Sequence, residues 1–298
     1  MSHKLRSDLL LLVTAAIWGF AFVAQRLGME HLEPLTFNGV RFLMGSLALV
    51  PVVRWRGRSH AAAPWRQDLR RGTVLGLVLC GGATLQQWGV VFTTAGKAGF
   101  ITGLYVVLVP ILGLAVGQRT HRRTWVGAAL AVGGMYLLTM TGPLRMALGD
   151  GLVFIGAFFW ASHVLLIGRW ATRTDPVRLA ALQFGVCGLV SALVGFPLEQ
   201  PSTGAILATA VPLLYAGLAS TAIAYTLQVV AQRHAPPAHA AIILSLEAVF
   251  AVLGGMLVLG ESLAGRGLIG CALMLAGMIV SQLEPRRVRA VPPASAGR

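Results

Sequence analysis

Charged residues are scarce in this 298-residue sequence, and the acidic ones are the scarcest, with 10 Asp and Glu against 24 Lys and Arg. Only 11% of the residues are charged, whereas a soluble domain carries about 25%. Hydrophobic residues make up 56% of the chain, and the mean hydropathy is +0.75. These values exclude an ordinary soluble domain and indicate a membrane protein.

Cysteines and the common catalytic motifs are also in short supply. The three cysteines stand apart from one another, each within an apolar run, so neither a disulfide framework nor a metal site is expected. The sequence contains no H-E-x-x-H, G-x-S-x-G or S-x-x-K motif and no phosphate-binding P-loop. We therefore expect no metal, no cofactor and no enzymatic activity.

Long apolar stretches are what the sequence does contain. A transmembrane helix needs about 20 predominantly apolar residues, and eight uncharged runs fit that length, while two more contain one internal charge each. The sequence thus predicts an all-α polytopic membrane protein with ten transmembrane helices, at 9–25, 34–53, 72–96, 98–118, 124–144, 151–168, 179–198, 200–232, 234–260 and 267–283.

The basic residues are distributed unevenly between the predicted loops. If the N-terminus is cytoplasmic, most of the Lys and Arg residues fall in cytoplasmic segments, and the positive-inside rule then places both termini in the cytoplasm. The net charge of +14 is therefore an orientation signal, and no nucleic-acid partner is expected. A basic start and small residues near Ala21 also suit a signal peptide, but the first span takes part in an internal repeat, which favours its retention.

That repeat is a single unit used twice. The stretch "TAAIWGF" at 14–20 aligns with "GAFFWAS" at 156–162 and places Trp18 on Trp160. An odd number of spans per copy makes the second copy enter the membrane from the opposite face, as in many secondary transporters. We therefore predict two inverted five-helix repeats, at 1–145 and 146–283, followed by a disordered cytoplasmic tail at 284–298. The near-constant spacing also pairs Pro34 with Pro176, Phe42 with Phe184, Gly127 with Gly270 and Gly134 with Gly277.

Two charges lie inside predicted spans. Glu247 falls roughly 14 Å into the membrane at 1.5 Å per residue, where a carboxylate costs about 2.5–3.5 kcal/mol unless something compensates it. It is either a proton site or one partner of a hydrogen bond between helices. Arg41 either pairs with Glu247 or extends to the membrane interface. In the fourth span, Pro110 predicts a kink, although the small residues around it also suit close helix packing.

Several polar or aromatic side chains lie at membrane depth and together suit a weakly polar pocket near the repeat interface. Each of them is also compatible with simple helix packing. The predicted substrate-binding residues are Trp18, Gln86, Gln87, Tyr105, Trp160, His163, Tyr225 and Gln228.

Four stretches resemble EamA-type permeases of the drug/metabolite transporter superfamily: "IWGFAFVAQ" at 17–25, "RFLMGSLAL" at 41–49, "GFITGLYVVLVPILG" at 99–113 and "SLEAVFAVLGGMLVLGE" at 245–261. The resemblance covers roughly residues 8–283. It implies a secondary carrier that exports small metabolites, such as amino acids, through a central cavity. The predicted substrate-binding residues would lie at this cavity.

We accordingly predict a secondary transporter that works by alternating access in the bacterial cytoplasmic membrane. Its partners are a small amphipathic solute, membrane lipid and, if Glu247 is a coupling site, protons. Two other classes stay open: a membrane sensor that binds without transporting, and a membrane enzyme.

Overall fold

The structure is a computed structural model that describes residues 3–56, 64–92, 95–139, 147–260 and 265–282. The predicted tail at 284–298 lies outside these residues. Every regular element in the described ranges is helical, as expected for apolar runs in lipid, where backbone N–H and C=O groups have no water to bind and must satisfy one another.

Fourteen α-helices are described. In chain order they are α1 His3–Gly28, α2 Pro34–Arg56, α3 Trp65–Phe92, α4 Ala95–Gly103, α5 Tyr105–Ala115, α6 Arg122–Thr139, α7 Leu148–Trp170, α8 Pro176–Glu199, α9 Thr203–Ala208, α10 Ala210–Leu214, α11 Thr226–Ala231, α12 Pro237–Leu244, α13 Glu247–Leu259 and α14 Gly265–Gln282. A π-helical segment, Tyr215–Tyr225, joins α10 to α11, and a 3₁₀ turn, Ala171–Arg173, follows α7.

Within the described ranges, eight helical stretches are long and apolar enough to cross a membrane. Four of them combine several elements: 98–115 runs from α4 into α5, 148–173 from α7 into the 3₁₀ turn, 210–231 from α10 to α11, and 237–258 from α12 into α13. The two other predicted spans coincide with α6 and α14, which have 18 residues each. The apolar part of α14, Gly265–Ser281, is shorter than the other eight.

Glycines allow α6 and α14 to pack backbone against backbone. A Cβ atom added to Gly127 would lie 2.7 Å from the carbonyl oxygen of Gly277, and one added to Gly134 would lie 2.5 Å from that of Gly270. Real Cβ atoms essentially never approach so closely. Small residues at such positions are typical of helix pairs in lipid, where association depends on packing.

The outer surface of the helix bundle and its interior carry different kinds of side chain. Large aliphatic side chains such as Leu193, Val211 and Leu257 are about three-quarters exposed on the outside. Such exposure is unusual in soluble proteins, which hide large apolar patches, and suits a surface in contact with lipid. Inside the bundle, the rings of Phe42 on α2 and Phe184 on α8 are 6.4 Å apart and buried.

Buried acidic groups lie near the first turns of two helices. Asp68 on α3 accepts a hydrogen bond of 2.8 Å from Arg178 Nη1 on α8, and Asp68 is fully buried. Asp8 Oδ1 on α1 lies 2.8 Å from His239 Nε2 on α12. These contacts tie helices of the first half of the chain to helices of the second half.

Candidate functional site

The fourth predicted span is broken in its middle. Helix α4 ends at Gly103 and α5 begins at Tyr105. At the break, the amide of Leu104 donates to the carbonyl of Ile101 at 3.2 Å, and the amide of Val107 donates to that of Leu104 at 3.0 Å. Such bonds to the third preceding residue tighten the helix locally.

The ninth predicted span repeats this break. Helix α12 ends at Leu244 and α13 begins at Glu247. The amide of Leu246 donates to the carbonyl of Ile243 at 3.1 Å, and that of Val249 donates to Leu246 at 2.9 Å. Both bonds match those of the first break in type and length.

The first residues after the two breaks contact each other. The Tyr105 hydroxyl donates to Glu247 Oε1 at 3.2 Å, and both side chains are buried. They are 142 residues apart, the spacing that relates Trp18 to Trp160 in the repeat. Glu247 also stands at the start of α13, where the helix dipole favours a negative charge. The sequence left Glu247 as a proton site or a partner in a helix-to-helix hydrogen bond, and the structure shows such a bond.

A cavity of about 50 Å³ lies beside this contact. Both halves of the chain contribute to its wall, including the broken helices, α1, α2, α3, α7 and the π-helical segment. Of the predicted site residues, seven line it: Trp18, Arg41, Gln86, Tyr105, Trp160, Tyr225 and Glu247.

Aromatic rings form one side of the cavity, around Tyr225. The rings of Trp18 and Tyr225 are 4.5 Å apart, and those of Trp160 and Tyr225 are stacked at 6.4 Å. The Trp18 indole donates through Nε1 to the carbonyl oxygen of Ser220 at 3.2 Å. Ser220 lies in the π-helical segment, whose wider turns are frequent at functional sites. Trp160 Nε1, by contrast, is buried with no partner among the described residues.

Arg41 is held by side chains of its own helix. Its Nε donates to Asn38 Oδ1 at 3.0 Å, and its guanidinium carbon lies 4.6 Å from the centre of the Phe42 ring and 5.6 Å from that of Phe37. The residue is only 4% exposed and lines the cavity, so the side chain is enclosed by protein. No ion pair within 4.0 Å joins Arg41 to Glu247 in the described part of the chain.

Four predicted residues are not in the cavity wall. His163 Nε2 lies 2.8 Å from Gln183 Oε1. The amides of Gln87 and Gln228 are buried and have no partner in the described ranges. Pro110 lies inside α5, and the break at Leu104 precedes it by almost two turns. The functional roles assigned to all of these residues stay predictions.

Five residues of the cavity wall were not predicted. Thr102 stands just before the first break, and Gln25 donates from Nε2 to the carbonyl of Ala21 at 3.2 Å. Gln25, Thr102 and Ser220 are polar residues within apolar runs, and that signal was available in the sequence. No such signal distinguishes Ala21 and Phe22 from their apolar neighbours. The five are Ala21, Phe22, Gln25, Thr102 and Ser220.

Comparisons with known proteins agree with this architecture. The model of the EamA-like transporter family matches residues 5–140 and again residues 147–282. One solved crystal structure superposes with a TM-score of 0.76, covering 95% of this chain and 99% of its own, at 19% identity. At that identity the likeness concerns the fold alone.

Three curated relatives match over most of their length. An "Uncharacterized transporter" of Archaeoglobus fulgidus is 32% identical, over 94% of this chain and 87% of its own. The "Uncharacterized inner membrane transporter YedA" of Escherichia coli K12 is 29% identical, over 89% and 85%. A "Probable amino-acid metabolite efflux pump" of Salmonella typhimurium is 24% identical, over 94% and 95%.

Proposed function

Since this chain belongs to the EamA-like transporter family, we propose that it is a secondary transporter of an amino acid or a related amphipathic solute. The expected direction is export across a bacterial inner membrane. The names of two relatives support this proposal, one an inner membrane transporter and the other an amino-acid metabolite efflux pump. The membrane-transporter class itself follows from the family.

The observation that carries the proposal is the cavity beside the contact of the two broken helices. Transporter sites lie near the membrane midplane at the interface of two repeats, where helices are discontinuous. Here the breaks before Tyr105 and Glu247 meet through a hydrogen bond beside a cavity built from both halves of the chain. A binding site enclosed in this way suits a solute that passes through the bundle.

Reciprocal contacts support ten helices in two inverted repeats. The repeat alignment pairs Gly127 with Gly270 and Gly134 with Gly277. The observed contacts are Gly127 with Gly277 and Gly134 with Gly270, so exchanging the repeats turns each contact into the other. That is the behaviour of a pseudo-two-fold axis. Five spans per repeat would place this axis in the membrane plane and keep both termini cytoplasmic.

The size of the cavity supports alternating access. Ligand sites usually have volumes of about 300–1,000 Å³, whereas this cavity has about 50 Å³. A solute therefore enters only if the halves move apart, and the two breaks are natural points of bending. We include protons as the coupling ion, because intramembrane acids such as Glu247 commonly serve in proton relays.

Counterflow in proteoliposomes tests the proposal. Vesicles loaded with one unlabelled L-amino acid at a time should accumulate the same amino acid in labelled form, and protein-free vesicles should not. A sensor would bind the amino acid without exchanging it, and an enzyme would release altered products, which chromatography of the vesicle contents detects. Absence of exchange across the whole set would refute the proposal.

A further inference from the structure

The guanidinium of Arg41 has more donors than the protein satisfies. An arginine side chain carries five N–H donors in a planar fork. Among the described residues only Nε of Arg41 has an acceptor, Asn38 Oδ1. Neither Nη nitrogen has an acceptor in the described part of the chain. A buried cation in a membrane protein is normally paired or hydrogen-bonded, because leaving it unpaired costs about 2.5–3.5 kcal/mol or more.

We propose that Arg41 binds a carboxylate group of the transported solute through its two Nη nitrogens. The inference rests on the proposed function in one respect only, that the cavity is the solute site. The guanidinium fork matches a planar carboxylate, with which it forms two parallel hydrogen bonds. Asn38 and the rings of Phe37 and Phe42 hold the fork in place before any solute arrives, which lowers the entropy cost of binding.

Two further groups in the same cavity lack partners. Trp160 Nε1 and Thr102 Oγ1 are buried without a hydrogen-bond partner among the described residues, and both residues line the cavity. The indole can only donate, and the hydroxyl can donate as well as accept. Both residues belong to the cavity wall, so once the halves of the chain move apart a solute with several acceptor atoms would find these donors beside the Arg41 fork.

The charges of the cavity favour a carboxylate over a phosphate. Arg41 and Glu247 are the two ionisable groups of opposite sign in the cavity wall, and the Tyr105 hydroxyl already binds Glu247. A carboxylate brings one negative charge to one guanidinium. A phosphate monoester brings about 1.5–2 negative charges at neutral pH, and the excess would face Glu247 in a small, poorly hydrated space.

A thermal-shift experiment on the purified full-length protein separates these possibilities. The probes are the twenty L-amino acids, the carboxamide of each, and inorganic phosphate. We expect at least one amino acid to raise the melting temperature, because a ligand that binds the folded state stabilises it. Its carboxamide has nearly the same shape without the charge and should bind at least about tenfold more weakly, as expected for losing a charged hydrogen bond.

Variants test whether Arg41 is the group that binds the carboxylate. In Arg41→Gln the amino acid and its carboxamide should bind equally weakly, and Arg41→Lys should recover part of the difference because a point charge remains without the fork. Arg233→Gln is the matched control. Arg233 is an exposed arginine outside the cavity, so this variant should keep the preference of the wild type.

Three results would overturn the proposal: no amino acid stabilises the wild type, the carboxamides or phosphate stabilise it equally well, or Arg41→Gln keeps the preference for the acid. The comparison of acid with carboxamide uses the wild-type protein, so it stands even if the variant does not fold. Counterflow separates the two proposals. If the amino acid binds better than its carboxamide but is not exchanged, transport is refuted. If the amino acid and its carboxamide are exchanged equally well, the role of Arg41 is refuted.

Discussion

Replacing Gly134 with alanine tests the glycine contact between α6 and α14. The added Cβ would lie 2.5 Å from the carbonyl oxygen of Gly270, and 2.7 Å and 2.9 Å from Cγ and the backbone nitrogen of Met274. Two of these atoms are backbone, so the helices must separate to admit the methyl group. The neighbouring Gly133 provides a matched control, because an added Cβ meets nothing within 4 Å there.

The magnitude follows from two opposing effects. Alanine in place of glycine inside a helix gains about 0.5–1 kcal/mol from reduced backbone entropy, and both variants share this gain. Forcing an extra carbon into a closely packed contact costs about 1–3 kcal/mol, and only Gly134→Ala has this cost. The two variants should therefore differ by about 1–3 kcal/mol in unfolding free energy, with Gly133→Ala the more stable.

Thermal melting in detergent measures this difference, with the size-exclusion peak of the folded protein as the readout. At about 2 °C per kcal/mol for a chain of this size, Gly134→Ala should melt roughly 2–6 °C below Gly133→Ala. The pseudo-two-fold relation adds a second test, since Gly277→Ala places its Cβ 2.6 Å from the Gly127 carbonyl and should lose about as much. Equal melting of Gly133→Ala and Gly134→Ala would refute the close packing of these helices.

Three other outcomes are expected. Arg178→Gln leaves buried Asp68 without its partner and should lower the unfolding free energy by about 3–5 kcal/mol. Replacing both residues of the pair by Leu and Met should recover most of this loss. A loss under about 1 kcal/mol in Arg178→Gln would contradict the buried pair. Tyr105→Phe should cost about 0.5–1.5 kcal/mol, and a double-mutant cycle with Glu247→Gln should give a coupling energy clearly different from zero. Finally, Glu247→Gln should abolish the response of transport to an imposed pH gradient while counterflow persists, and an unchanged response would exclude Glu247 as the proton site.

Some residues of the cavity wall could be predicted because charged groups within a membrane span are costly to expose to lipid. A carboxylate or a guanidinium inside a span must face the protein interior, so Glu247 and Arg41 were identifiable from the sequence, as was the repeated pair Trp18 and Trp160. All four line the cavity. Whether each of them binds solute stays a prediction.

Other residues could not be assigned because sequence position does not set the rotation of a helix about its axis. Gln86 lines the cavity, whereas the adjacent Gln87 is buried outside its wall. A difference of one residue turns a side chain by about 100° on a helix, and only packing against neighbouring helices decides which of the two faces inward.

The apolar composition determined that the chain lies in a membrane, and the length of its apolar runs determined that it is helical, because a spanning helix needs about 20 residues and lipid offers no partner for an open backbone. The internal repeat similarly indicated two related halves. Tertiary structure alone decided that the helices break before Tyr105 and Glu247, that these residues bond to each other, and that Arg41 stays enclosed without an ion pair to Glu247. The bond between Tyr105 and Glu247 joins residues 142 positions apart, and no local pattern encodes such a contact.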